Sequence, residues 1–313
     1  MTPASPHGPD QAVQIGERRL VLRNLEKVLY PATGTTKGEV LSYYTQVAEV
    51  MLPHVIGRPA TRKRWPNGVT GASFFEKNLP NGTPDWVRRV RLPVPGSSKD
   101  RETILYPLLD DLASLVWAAN LAALELHVPQ WQADPSPDGA ASRGVAHAPD
   151  RLVIDLDPGA PAGLAECTEV AFAVREVLAD DGLDCFPVTS GGKGMQLYAR
   201  LSGGDRASEL DDAEAVVTYA KSLAEGLEAR MGSLVTSRMT KALRPGKVLL
   251  DWSQNNPAKT TIAPYSLRGR DLPNAAAPRT WQELEAGGLK QLDHAEVAAR
   301  VAADGDLLAG LLP

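Results

Sequence analysis

Cys167 and Cys185 are the only cysteines in 313 residues, which excludes a disulfide framework and a cysteine-rich zinc site. A reducing cytoplasm is the simplest compartment for such a chain. No apolar run approaches the ~20 residues that would cross a bilayer, so no membrane partner is expected. The first ten residues lack the apolar stretch of a secretion signal, and residues 1–15 are expected to be a flexible tail. Internal repeats are also missing. So is an excess of positive charge: 33 basic and 38 acidic side chains leave a net -5, which taken whole argues against a protein coated for nucleic acid.

The sum conceals a segregation. Residues 1–130 carry a net +3, residues 131–230 a net -10, residues 231–280 a net +6 and residues 281–313 a net -4. An acidic middle therefore lies between basic stretches. Hydrophobic residues make up 43% of the chain, enough for a sizeable core.

Periodicity predicts strands over Arg19–Arg23, Ala60–Trp65, Arg151–Asp157, Cys185–Thr189, Met195–Ala199 and Val248–Trp252, and a strand or turn at Phe74-Phe75. A helix is predicted from the capping-box spacing at Thr36–Glu39 through Met51, ended by Pro53. Further helices are predicted over Asp110–Leu124, Leu164–Leu178 and Asp212–Arg230. The Pro/Asp/Gly-rich stretch from Ala133 to Pro149 is a loop and the candidate internal boundary. Strands and helices mix without strict βαβ alternation, so the fold class is α+β with antiparallel hairpins.

Asp155 and Asp157 stand two apart on an apolar strand and so point the same way, with Pro158-Gly159 ending the strand at a sheet rim. They form either a solvated acidic end or an oxygen-only site for Mg²⁺ or Mn²⁺. Asp251 ends a second apolar strand and is one of two acids in the net +6 stretch. It either pairs with a neighbouring cation or completes the three carboxylates needed for two divalent ions.

Thr189-Ser190-Gly191-Gly192-Lys193-Gly194 follows a strand. It fits a hairpin turn, or a phosphate cradle in which Ser190 and Lys193 supply a hydroxyl and a charge; it lacks Walker A spacing. His127 is either a core or capping residue or a ligand. Arg268 and Arg270 either clamp phosphate or lie on a surface loop. Arg62-Lys63-Arg64-Trp65 and Phe74-Phe75-Glu76-Lys77 place cations beside rings, as nucleic-acid grooves do, although a solvated charge run is the plainer reading of each. Lys27 and Lys37 flank a possible pocket for a terminal phosphate.

Together these motifs resemble one family. Lys-Val-Leu-Tyr-Pro, Arg-Pro-Ala-Thr-Arg-Lys-Arg-Trp-Pro-Asn-Gly, Phe-Phe-Glu-Lys, His-Val-Pro-Gln-Trp, Asp-Leu-Asp-Pro-Gly, Thr-Ser-Gly-Gly-Lys-Gly, Asp-Trp-Ser-Gln-Asn and Ala-Pro-Tyr-Ser-Leu-Arg-Gly-Arg run in order from about Leu22 to Leu308. The chain resembles the polymerase domain of bacterial ligase D, of the archaeo-eukaryotic primase superfamily. The resemblance implies two mixed β-rich modules flanked by helices, with the active-site cleft between them, in a single catalytic domain over residues 16–313.

It further implies that Asp155, Asp157 and Asp251 bind two catalytic ions, Mn²⁺ or Mg²⁺. His127, Ser190, Lys193 and Arg268 would hold the nucleotide triphosphate. Phe74 and Phe75 would stack on the template base and the nascent pair. Lys27, Lys37 and Arg64 would take the 5′-phosphate of gapped DNA. Arg244 and Gln254 would lie near the active site, Arg244 in or beside a mobile loop and Gln254 towards the nucleotide.

The implied function is templated gap filling and 3′-end extension in non-homologous end joining, with a preference for ribonucleotides. Implied partners are DNA ends, NTP or dNTP, Ku and a DNA ligase domain, in a bacterial, nucleoid-associated setting. The alternative is a stand-alone primase-polymerase. A two-metal nuclease would share the carboxylates without needing the Ser190/Lys193 turn, and an end-bridging module would bind DNA without incorporation. One departure stands out: Gln196 occupies the place where many relatives carry His, and its side chain is expected to line the cleft or support the glycine turn.

Overall fold

A computed structural model describes residues 9–94, 102–135, 142–201 and 209–312. In chain order it opens with β1 (Gln11–Ile15), β2 (Arg18–Leu22), β3 (Val28–Tyr30), β4 (Thr35–Thr36), α1 (Lys37–Gln46) and α2 (Ala48–Val55). Next come β5 (Thr61–Arg64), β6 (Phe74–Glu76), β7 (Arg89–Pro93), β8 (Thr103–Pro107), α3 (Leu112–Asn120) and β9 (Ala123–Val128). The middle holds β10 (Trp131–Asp134), β11 (Val145–Pro149), β12 (Arg151–Pro158), α4 (Leu164–Asp180), β13 (Cys185–Thr189), β14 (Met195–Arg200) and α5 (Ala213–Arg230). The last part adds β15 (Val235–Thr236), β16 (Val248–Asp251), β17 (Thr261–Ile262), β18 (Ala277–Pro278), α6 (Trp281–Ala286) and α7 (His294–Asp304).

Two sheets organise these elements. The first has four strands in the order β17-β9-β5-β6; the second has six, in the order β15-β16-β12-β14-β13-β18. Every ladder is antiparallel except β15 with β16, as an α+β fold requires. In β12, alternation sends Leu152, Ile154 and Leu156 to one face. There they join Met195, Leu197, Val248 and Leu250 in a core closed by α4 and α5. The other face carries Val153, which packs with Tyr198 and with Ile262 of the first sheet. The carboxylates follow Val153 on that same face, where the sheets meet.

Four expectations change. Residues 11–15 are not tail: they form β1, paired with β2 along its full length, because Ala12, Val13 and Ile15 find Val21, Leu20 and Arg18 opposite; residues 1–8 lie outside the described residues. The helix over Thr36–Met51 divides at Val47, whose φ of -92° and ψ of 0° end α1, and Pro53 sits inside α2 instead of stopping it. The proline removes one helix hydrogen bond and crowds the carbonyl four residues back, a cost set against the burial of Val50, Met51, His54 and Val55 on the same helix. The helix over Asp110–Leu124 stops at Asn120, Ala122 takes a φ of 57°, and Ala123–Val128 is strand β9. The stretch 133–149 is largely a hairpin, since β10 pairs with β11; residues 136–141 lie outside the described ones.

The C-terminal segment locks the first module. Asp306 accepts from the Tyr265 hydroxyl at 2.7 Å and from Leu308 N at 2.9 Å, and meets His54 Nε2 at 2.9 Å. Burial pushes the Asp306 carboxyl up, but His54, Tyr265 and Leu308 outweigh it and hold it below its ordinary value. A depressed carboxylate contributes stability above its unfolded pKa and loses it as pH falls through the folded value. Asp306→Ala is therefore expected to cost ~2 kcal/mol near neutral pH, and less in acid, by urea unfolding.

Candidate active site

Asp155 lies opposite Asp251 across one ladder of β12 and opposite Gln196 across the other. Residues facing each other in a ladder share a face, and so do residues two apart along a strand. Asp155, Asp157 and Asp251 therefore crowd one face. Burial pushes the Asp155 carboxyl up to about 7, with Asp251 and Asp157 adding to the rise and Gln196 and Arg268 opposing it. Gln196 is buried and bonds Asp155, while its Oε1 accepts from the Tyr198 hydroxyl at 3.1 Å. The Gln196 side chain thus bears on the carboxylates, not on the glycine turn.

The other two acids have partners. Asp251 accepts from Gln254 Nε2 at 3.1 Å, from Ser253 N at 3.1 Å and from the Ser253 hydroxyl, to which Lys259 Nζ also donates. Asp157 is exposed and meets Arg244 Nη1 at 3.5 Å, while Arg244 Nη2 donates to Met239 O at 2.8 Å. Among the described residues no three His, Cys, Asp or Glu side chains are already gathered as a cation cage. The donor set nevertheless fits a hard dication: only oxygens, and an Asp155 whose charge is opposed by its neighbours.

Gly191–Gly194 closes a turn between β13 and β14, with Ser190 N bonded to Gly194 O at 3.0 Å. Gly191 has a φ of 68°, and a Cβ there would stand 2.6 Å from Arg268 Cγ. A Cβ on Gly194 would fall 1.9 Å from Leu156 O of β12. Only glycine lets the turn lie this close to the carboxylate strand. Ser190 Oγ accepts from Gly192 N at 3.2 Å, Lys193 is exposed at the tip, and the Arg270 guanidinium reaches Gly192. Gln291 spans the turn, accepting from Gly191 N at 2.7 Å and donating to Gly194 O at 3.0 Å.

His127 and Arg268 come together through Glu125. Its Oε2 meets His127 Nε2 at 2.8 Å, and its Oε1 accepts from Gly269 N at 3.0 Å and lies 3.7 Å from Arg268 Nε. Burial pushes Glu125 up, but His127, Arg268 and Gly269 outweigh it and hold the carboxyl at about 2. Burial lowers His127, against the opposing pull of Glu125. The Tyr30 and Tyr43 hydroxyls bind Arg268 O at 2.9 Å and Tyr265 O at 2.6 Å, which fixes the arginine's loop.

Phe74 and Phe75 are exposed but adjacent in β6, so they leave opposite faces of the sheet. Phase of the strand decides their neighbours. Phe75 stands edge-on to His127 at 5.7 Å with Lys63 over its ring, and Phe74 carries the Arg64 guanidinium at 5.3 Å. Arg64 also donates to Leu121 O at 2.8 Å and to both Glu76 oxygens at 3.0 Å. Lys37 is buried, donating to Arg23 O at 2.6 Å and Asn120 Oδ1 at 2.8 Å, and Lys27 donates to Asn67 Oδ1 at 3.1 Å. Burial, then Lys27 and Arg23, with Arg64 adding a smaller part, lower Lys37 to about 8. One basic group thus gathers Lys27, Lys37 and Arg64, and another gathers Ser190, Lys193, Arg268 and His127.

Sequence reading missed Glu125, Gln291 and Tyr30. Glu125 carried a usable signal, two residues from His127 on one strand. Gln291 carried none, being 100 residues from the turn that it bridges.

Comparison with known proteins agrees with this geometry. The family described as LigD, primase-polymerase domain, matches residues 36–308. The chain is 52% identical over 294 residues to the multifunctional non-homologous end joining DNA repair protein LigD of Mycobacterium tuberculosis, covering 93% of this chain and 37% of that protein. It is 31% identical over 267 residues to the bifunctional LigD of Bacillus subtilis, covering 85% of this chain and 40% of that protein. It thus spans well under half the length of these relatives. The polymerase domain of Mycobacterium tuberculosis ligase D, solved in complex with DNA, superposes with a TM-score of 0.86 at 50% identity, over 94% of this chain and 99% of that one. Among the described residues no helix is long and apolar enough to cross a membrane. The architecture of two facing sheets, the carboxylate face and these matches together show that the chain belongs to the LigD primase-polymerase domain family.

Proposed function

We propose that this chain is a template-directed nucleotidyltransferase that extends a DNA 3′ end across a gap during end joining. The observation that carries the reading is the meeting of Asp155, Asp157 and Asp251 on one sheet face with the Ser190–Gly194 turn packed against the same strand. Asp155, Asp157 and Asp251 would hold two Mn²⁺ or Mg²⁺ ions, whose chemistry is to acidify the primer hydroxyl and neutralise phosphate charge.

The chain's own groups do the rest. Ser190, Lys193, Arg268, Arg270 and His127 bind the triphosphate and stabilise charge passing to pyrophosphate. Gln196 and Gln254 orient the carboxylates Asp155 and Asp251. Phe75, on the triphosphate side of β6, stacks on the nascent pair, and Phe74, on the other, on the template. Arg244 occupies the approach to Asp157. Lys27, Lys37 and Arg64 take a 5′-phosphate. Outside this chain, the reading assigns a ligase domain and Ku as partners. Ribonucleotides are the favoured substrates on this reading.

The test is extension of a primer on gapped, 5′-phosphorylated DNA with each NTP and Mn²⁺. Incorporation dictated by the template base is expected. Degradation of the DNA without nucleotides would favour a nuclease, and synthesis with no primer a stand-alone primase.

The 5′-phosphate pocket makes a pH prediction. Lys37 binds phosphate as the cation, and its charge is lost as pH rises through about 8. The affinity advantage of 5′-phosphate over 5′-hydroxyl gaps should therefore shrink from pH 7 to pH 9, measured by fluorescence anisotropy. An advantage that is constant across that range would remove Lys37 from the pocket.

A further inference from the structure

Glu125 and His127 allow one step beyond that reading, and the step rests on it. Glu125 is a carboxylate at any working pH and can only accept. The 2.8 Å contact therefore places a proton on His127 Nε2. Burial disfavours a second proton on the ring, so in the free protein Nδ1 presents a lone pair. Among the described residues no partner faces Nδ1, and 12% of the side chain reaches solvent.

A phosphate oxygen is also an acceptor. Two lone pairs cannot bond, so His127 can hold phosphate through Nδ1 only as the imidazolium, with both nitrogens donating. We propose that Glu125 is a positioning residue that fixes the proton on His127 Nε2, so that binding a nucleoside triphosphate at Nδ1 takes up one proton from solvent. The charges facing His127 are Glu125 on its own strand, Arg268 from the 264–270 loop and Lys63 from β5; β6 contributes the uncharged Phe75 ring. The two cations oppose the second proton in the free protein. The incoming polyanion offsets them, and Glu125 steadies the imidazolium from behind.

Calorimetry of ATP with Mn²⁺, without DNA, in HEPES and in Tris at pH 7.5 separates binding heat from buffer ionisation. The wild type is expected to take up roughly 0.5–1 proton per ATP bound. In Glu125→Gln the carboxylate that stabilises the imidazolium is gone, so ATP should still bind with uptake below roughly 0.2. A merely structural role for Glu125 would weaken binding and leave the proton count alone. His127→Gln should bind ATP without uptake even if the Glu125 variant fails to fold. Binding by the wild type with equal heats in both buffers overturns the proposal and leaves the nucleotide-binding reading intact, and so does uptake retained in either variant. No ATP binding by the wild type overturns both.

Discussion

Asp155→Asn is expected to lower the single-turnover rate of nucleotide incorporation by at least ~1,000-fold, about 4 kcal/mol of transition-state stabilisation, while raising thermal stability in the presence of EDTA. The two effects share one cause. Asp155 faces Asp251 across a ladder, shares a strand face with Asp157 and is partly buried, so its charge is opposed in the free protein. The amide keeps the shape and the hydrogen bond with Gln196 but removes the repulsion. It also removes an anionic oxygen from the proposed metal site. Scanning calorimetry with EDTA and then with Mn²⁺ checks the second half: Mn²⁺ should raise the melting temperature of the wild type more than that of the variant. A variant both inactive and less stable would mean that Asp155 serves folding through a contact not accounted for.

Gly194→Ala should also impair activity, to a smaller extent and by a steric route. The added Cβ would meet Leu156 O at 1.9 Å and Pro158 Cδ at 2.8 Å. Both neighbours belong to β12, between and beyond the two aspartates, so relief must come from moving the turn. That breaks the bond from Ser190 N to Gly194 O, and the Gln291 clip with it. Overpacking of this kind costs ~1–3 kcal/mol, and here it also displaces Lys193 from the triphosphate. A rise in nucleotide KM of ~10-fold or more is expected, together with a lower urea midpoint. Gly226→Ala, inside α5 with nothing within 4 Å of the new Cβ, is the matching control: it should leave KM unchanged and raise the urea midpoint, because alanine is the better helix former. An unchanged KM in Gly194→Ala would separate the turn from nucleotide binding.

The carboxylate face was legible in the chain because a strand's alternation is a strict rule: Val153, Asp155 and Asp157 must share a side. The opposition of Asp155 to Asp251 was not, since register is set by which strands pair, and β12 pairs with a strand some 90 residues later. The stretch Ala122–Val128 misled for a related reason. Its short apolar run suits a buried helix end as well as a strand, and the left-handed backbone at Ala122 leaves no mark in an alanine. Phe74 and Phe75 are neighbours in sequence, but strand geometry divides them between two faces. The net -5 first spoke against nucleic acid. The fold resolves it into an acidic face and two separate basic groups.

Titration of Mn²⁺ against the protein with ATP bound, followed by electron paramagnetic resonance, tests the central claim most directly. Two ions per wild-type chain are expected, with at least one lost in Asp155→Asn and in Asp251→Asn. The same number of ions bound in all three proteins would contradict the assignment of this face as the catalytic metal centre.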